Sequence, residues 1–180
     1  MRWLAWVGAV CAASGCILPQ DDIFLEELPE RRNRPPRLVE SQTEPQARVI
    51  QDFGAAGFCD LVFSVIVEDP DVDDRISVKW YLDYNPQNPI GPYRETDLSR
   101  SGQAQRGERG TLNINLRAAN SPLREPGTHV VEALVTDSRL LANRQPESIT
   151  YEGSDGGVIV NPGYVVTYSW FVTTVQGDCT

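Results

Sequence analysis

An all-β sandwich is the fold class predicted for this 180-residue chain. Three observations predict it: apolar and polar residues alternate with a period of two in several runs, Gly, Pro, Asn and Asp punctuate those runs, and no long segment carries a helical period. The run Leu61 to Glu68 places Phe63, Val65 and Val67 on one face and Ser64, Ile66 and Glu68 on the other. Ile76 to Tyr84 alternates more cleanly, with Ile76, Val78, Trp80, Leu82 and Tyr84 inward and Ser77, Lys79, Tyr81 and Asp83 outward. Thr111 to Arg117 repeats the rule with Leu112, Ile114 and Leu116. His129 to Asp137 and Tyr164 to Val175 are the remaining strands, the last with Val166, Tyr168, Trp170 and Val172 on one face.

The length suits one ordinary domain. The charge is acidic, 16 Lys and Arg against 25 Asp and Glu, a net of -9. Nucleic acid is excluded as a partner, because phosphate contacts need clustered positive charge. The basic residues Arg31, Arg32, Arg34 and Arg37 lie in a Pro-rich stretch and are offset by Glu26, Glu27 and Glu30.

Three stretches together resemble an immunoglobulin-like sandwich of the PKD or cadherin-like type. Asn33-Arg34-Pro35-Pro36-Arg37-Leu38-Val39 is similar to the entry into a first strand. Val67-Glu68-Asp69-Pro70-Asp71 and Lys79-Trp80-Tyr81-Leu82-Asp83 are similar to the second strand, its turn and the third. Gly127-Thr128-His129-Val130-Val131 through Val135-Thr136-Asp137 is similar to the sixth. The resemblance implies an antiparallel β-sandwich of about seven strands over residues 35–180 and says little about function. Residues 85–110 and 138–163 are long for that pattern and are expected as two loop insertions, partly strand.

The four cysteines sort by position. Cys11 lies in an apolar leader, Cys16 stands at a cleavage site, and Cys59 and Cys179 remain as a pair in an exported chain, where disulfides persist. In the immunoglobulin-like order Cys59 opens the second strand and Cys179 follows the seventh, which brings both to one pole. The alternatives are two free thiols or pairing between chains.

No catalytic residue is expected. His129 is the sole histidine and reads as a structural residue at a strand start. One histidine leaves no zinc site of two or three imidazoles. With Cys59 and Cys179 paired no thiol nucleophile remains, and no Gly-x-Ser-x-Gly elbow is present. The sharpest polar feature is Asp69-Pro70-Asp71-Val72-Asp73-Asp74. Read as chemistry it is a calcium loop, since calcium takes six to eight hard oxygens, with Asp137 at the same pole and Asp155 near it. Read as structure it is a turn set by Asp and Pro. It lacks the Gly and closing Glu of an EF-hand. Outward apolar residues, namely Val62, Ile66, Val130, Leu134, Phe171 and Tyr81, form exposed patches unless the two insertions cover them.

The chain opens with Met1-Arg2 and an apolar run from Trp3 through Ala13, the length of a signal-peptide core and too short to span a bilayer. Ala13-Ser14-Gly15-Cys16 resembles the lipobox of bacterial lipoproteins, with Ala13 where Leu is usual. The resemblance implies a signal peptide over residues 1–15, cleavage before Cys16, and a diacylglyceryl group and palmitate-type acylation on that cysteine. Ile17 in place of Asp implies outer-membrane sorting. Residues 16–34 follow as a tether rich in Pro and charge that buries too little to fold alone. A coil of that length reaches roughly 20–25 Å. The expected function is therefore a lipid-anchored cell-envelope protein whose non-catalytic sandwich binds or braces an envelope protein or polysaccharide, with no cofactor. The alternative is a calcium-dependent carbohydrate-binding module or envelope enzyme at the acidic pole.

Overall fold

The alternating runs become strands of a two-layer β-sandwich in the computed structural model, which describes residues 32–153 and 156–179. Cys16, the leader and Asp155 lie outside the described residues. The chain order is β1 (Arg37–Leu38), a 3-10 turn at Glu40–Gln42, β2 (Val49–Phe53), β3 (Asp60–Val65), β4 (Val67–Glu68), β5 (Ile76–Leu82), β6 (Arg94–Leu98), β7 (Gly110–Asn115), β8 (Gly127–Thr136), β9 (Ile149–Glu152), β10 (Val158–Asn161) and β11 (Val165–Thr174). No helix among these residues is long and apolar enough to cross a membrane.

One layer is a five-stranded sheet in the order β2-β11-β8-β5-β6. Its centre is long: β8 and β11 pair over ten residues, from Val165 opposite Thr136 to Thr174 opposite Gly127. In the facing layer β7 pairs with β3, while β1 pairs with β4 and Glu44 bridges Ser64 along the same edge. β3 and β4 are one strand interrupted at Ile66, whose carbonyl accepts from Val39 N–H. Counted this way the sandwich has the expected seven-strand path, with β9–β10 as an added hairpin inside the 138–163 insertion. The 85–110 insertion supplies β6.

One pairing differs from a purely antiparallel sandwich. β2 runs parallel to β11, with Val49 opposite Phe171 and Ile50 opposite Val172. The first strand leaves one layer and joins the other across Pro45. Proline has no N–H to give a ladder, and its carbonyl is taken by the Trp170 indole N–H at 2.8 Å. The crossing delivers β2 to the outside of β11 heading the same way.

The inward positions fill the space between layers. Phe63 packs on Trp170 at 5.1 Å and on Trp80 at 6.4 Å between ring centroids, and Trp80 stacks on Trp170 at 5.9 Å. Val65, Val78, Leu112, Val131, Val135 and Val172 close the layer around them. Gly110 opens β7 directly under Val78: a Cβ there would lie 2.6 Å from Val78 Cγ2. Glycine is required by that close approach.

The strand directions define two poles. β5 starts and β8 ends at the pole where the chain enters at Arg32; the acidic turn and the β9–β10 hairpin sit there too. β5 ends and β8 starts at the far pole, which carries the 83–93 connection, the 116–126 loop and the disulfide. Ten residues of β8 separate the two by roughly 33 Å. Cys59 and Cys179 are bonded at the far pole, with 5.4 Å between their Cα atoms.

Candidate functional site

The acidic turn folds around a cation supplied by the chain itself. The segment 99–109 is laid onto the end of β4 by two backbone bonds, Asp69 N–H to Ala104 O at 2.8 Å and Arg106 N–H to Val67 O at 2.9 Å. That register drives the Arg106 guanidinium into the turn. Its Nη1 donates to Val72 O at 2.8 Å, and its Nη2 to Asp71 O at 3.1 Å and Asp74 O at 3.2 Å. Asp69 Oδ2 stands 3.4 Å from Nη2, and both side chains are fully buried.

The five acids expected as calcium ligands do not form one oxygen cage. Asp69 faces Arg106, and its other oxygen accepts Asp71 N–H at 2.9 Å. Asp71 carries Arg34, whose backbone N–H and guanidinium donate to its two carboxylate oxygens. Asp137 accepts Tyr164 N–H at 2.7 Å and the Asn33 amide at 2.8 Å. Asp73 is exposed, and the turn's carbonyls point at Arg106. Among the described residues no group of three or more His, Cys, Asp or Glu side chains is placed to hold a metal ion. Within the turn the Arg106 guanidinium takes the carbonyls of Val72, Asp71 and Asp74 and faces the Asp69 carboxylate. Burial pushes the Asp69 and Asp137 carboxyls above the ordinary carboxylate value. Asp74 is raised by burial and then by the neighbouring charges of Asp69, Asp71 and Asp137.

His129 sits at the far pole and is committed at both ring nitrogens. Nδ1 lies 2.6 Å from Asp83 Oδ2, and Nε2 lies 2.8 Å from Glu125 O. A carboxylate and a carbonyl only accept, so both bonds form together only when the ring carries two protons. Burial pulls the imidazole pKa down, but the Asp83 bond, the Glu125 carbonyl and the Asp83 charge outweigh it and hold it above 6.5. Asp83 is itself fixed: its Oδ1 accepts Val130 N–H at 2.7 Å, and its backbone turns at φ 47. The structural role expected for His129 thus has a definite form, a cross-link between the end of β5 and the start of β8.

Beside this pair the 83–93 connection folds back and encloses a groove of about 350 Å³. Tyr81, Tyr84, Ile90, Pro92, Tyr93 and Pro122 line it, with Ile90 and Tyr93 well exposed. Its one charged lining residue, Asp83, lies 2.6 Å from His129 Nδ1. Tyr81 and Tyr84 meet edge to face at 5.4 Å. Arg144 steadies both from the 138–148 loop, lying 4.8 Å from the Tyr81 centroid and 4.2 Å from that of Tyr84 while holding Glu132 by two bonds of 2.7 and 3.2 Å.

The outward apolar residues are divided by these loops. Tyr81, Leu134 and Ile66 are buried, whereas Val62 and Phe171 remain exposed and Val130 half-buried. Phe171 is paired with Val49, another exposed residue, on the β2 edge.

Three features were missing from the sequence reading. Arg106 is one of three arginines, with Arg100 and Arg109, in a Gly-rich stretch, and its target lies more than thirty residues earlier. Arg144 has no periodic signal. The groove joins segments 81–93 and 122, and only the clustering of Tyr81, Tyr84 and Tyr93 hinted at it. Comparison of the chain with protein-family models, curated proteins and solved structures gives no match.

Proposed function

We propose that this protein is a lipid-anchored, non-catalytic binding module of the bacterial cell envelope, held through Cys16 and presenting the aromatic groove of the far pole to an envelope protein or polysaccharide. The observation that carries the reading is the groove itself. Apolar and aromatic side chains are left open at one end of a closed sandwich, in a concavity of about 350 Å³, and such concavities are the usual binding places. The groove opens at the pole opposite Arg32. The engagement of His129 at both nitrogens and of Cys59 with Cys179 supports binding over catalysis.

The anchor and the groove are tested separately. Intact mass and radiolabelled palmitate on membranes from cells making wild type and Cys16→Ala report the anchor: a mature chain starting at Cys16, with acyl mass lost in the variant, is expected, and a soluble unacylated wild type sinks it. For the groove, wild type and Tyr93→Ala are compared for retention on isolated envelope, fractionated into protein and polysaccharide. Loss of roughly ten-fold in retention is expected, as for removal of an exposed aromatic contact. Equal retention of the variant removes the groove from the reading.

A further inference from the structure

The groove at the far pole has two walls from different parts of the chain. Residues 81–93 form one, and Pro122, from the 116–126 loop, stands on the other. Pro122 sits in a tight turn closed by Arg124 N–H donating to Ser121 O at 3.3 Å. Proline suits the second position of such a turn because its φ is already set. Leu123 roots the turn in the core, where it is fully buried. Glu125 follows, and its carbonyl oxygen lies 2.8 Å from His129 Nε2. The other nitrogen of the same ring lies 2.6 Å from Asp83, a residue of the first wall. One buried imidazole therefore spans both walls.

Neither partner can donate, so the ring needs a proton on each nitrogen to hold both. A neutral ring has one proton. It stays at Nδ1, because a carboxylate is the stronger acceptor. Asp83 is also pinned, with Val130 N–H on its Oδ1 at 2.7 Å and its own N–H on Val130 O at 2.9 Å. Nε2 then presents a lone pair to the Glu125 carbonyl, and that contact becomes repulsive.

We propose that His129 is a proton-operated latch across the groove: the imidazolium fastens the 81–93 wall to the 116–126 wall, and loss of one proton frees the second. The charged groups around the ring are few. Asp83 follows β5 directly. The 116–126 loop brings Glu125, with Arg117 directed to Asp60 at 3.5 Å and Arg124 to Ala118 O at 3.4 Å. On β8 itself Glu132 is held by Arg144. β11, whose Val172 is paired with His129, has no acid or base between Val165 and Thr174. Burial acts against the charged ring; the Asp83 bond, the Glu125 carbonyl and the Asp83 charge act for it and prevail. The latch is closed at acidic pH and opens as pH rises through the folded-state value, above 6.5. Opening also leaves Asp83, the groove's one charged lining residue, without its counter-charge. Leu123 keeps the freed turn attached, so the groove loosens and is not dismantled.

His129 is the sole histidine, so in untagged protein one imidazole signal reports its titration by NMR. The amides of Arg124 and Gly127, on either side of the Glu125 carbonyl, report the loop. Ring and loop are expected to titrate with one shared midpoint above pH 6.5, and backbone relaxation to show the 116–126 loop more mobile beyond it. Asp83→Asn, with a side chain that tolerates the φ of 47 at that position, is expected to lower both midpoints together. Loop amides that hold still while the ring titrates, or a ring midpoint at or below 6.5, overturn the latch. Its use in binding rests on the groove reading. Retention of wild type on isolated envelope is expected to be about five-fold higher at pH 5.5 than at pH 8.5, the worth of one hydrogen bond, and that of His129→Gln to be equal at both. The same pH difference in both proteins, or none in either, removes the latch from binding. Tyr93→Ala retained like wild type defeats the groove reading and leaves the NMR result standing, so the two fail separately.

Discussion

His129 and Arg106 are charged groups that the fold places where water is scarce, and each has a measurable signature. Folding raises the His129 pKa above 6.5. The native chain then holds the proton more tightly than the unfolded chain, so the imidazolium contributes its full stabilisation below pH 6.5 and loses it as pH rises through the folded-state value. Urea unfolding at pH 5.5 and pH 8.5 is expected to show this slope in wild type and not in His129→Gln; an identical slope in both proteins would place the titration elsewhere. At the acidic turn, Arg106→Leu leaves Asp69 buried without its counter-charge beside Asp74 and Asp137. A loss of about 3–5 kcal/mol is expected, as for breaking one partner of a buried pair. Calcium is expected to leave the melting temperature of wild type unchanged, because the turn's oxygens already serve Arg106. A rise with calcium that disappears in Asp71→Asn plus Asp73→Asn would favour the ion-binding alternative.

In the 138–148 loop one side chain, Arg144, ties the loop to the sheet. Leu141 N–H to Gln145 O and Arg144 N–H to Leu141 O close a tight turn, with Arg144 at φ 64. From that position its guanidinium reaches Glu132, Tyr81 and Tyr84 together. A planar fork that accepts a carboxylate in its plane and aromatic rings on its face has no equivalent in an ammonium group. Arg144→Lys is therefore expected to cost about 1–2 kcal/mol despite keeping the charge, as the desolvated cation–π contacts weaken. Hydrogen exchange of the loop amides should quicken in parallel. A variant with wild-type stability and protection would show that the loop is fixed by its backbone turn.

The disulfide acts on the scale of the molecule. It closes a loop with a sequence separation of 120 residues, tying the end of the chain to the start of β3. In the chain-entropy picture the link is worth roughly 4–5 kcal/mol, acting on the unfolded state. The Cys59→Ala plus Cys179→Ala protein is expected to lose most of that in denaturant unfolding, with its spectrum at low denaturant unchanged. A loss below roughly 1 kcal/mol would mean that the unfolded chain is already constrained.

The strands were legible because a sandwich strand is a local object. Period-two alternation at Ile76 to Tyr84 or Thr111 to Arg117 follows from one face meeting a core and the other water, so residue order alone fixes which side chains turn inward. The Cys59–Cys179 link was expected from the cysteine count and from the strand order that the immunoglobulin-like resemblance implies. The sequence by itself also carries the acidity, the single histidine and the apolar run from Trp3 through Ala13 before Cys16. Only the tertiary structure decided what the polar residues do. Asp69 to Asp74 reads as a cation site or a turn, and the 99–109 segment lays Arg106 across it; Tyr81 reads as surface until Arg144 packs on its ring. The open groove at Tyr93 is likewise a product of segments meeting across the fold. A side chain's partners are set by which segments the topology brings together, and composition and periodicity hold no record of distances between residues far apart in the chain.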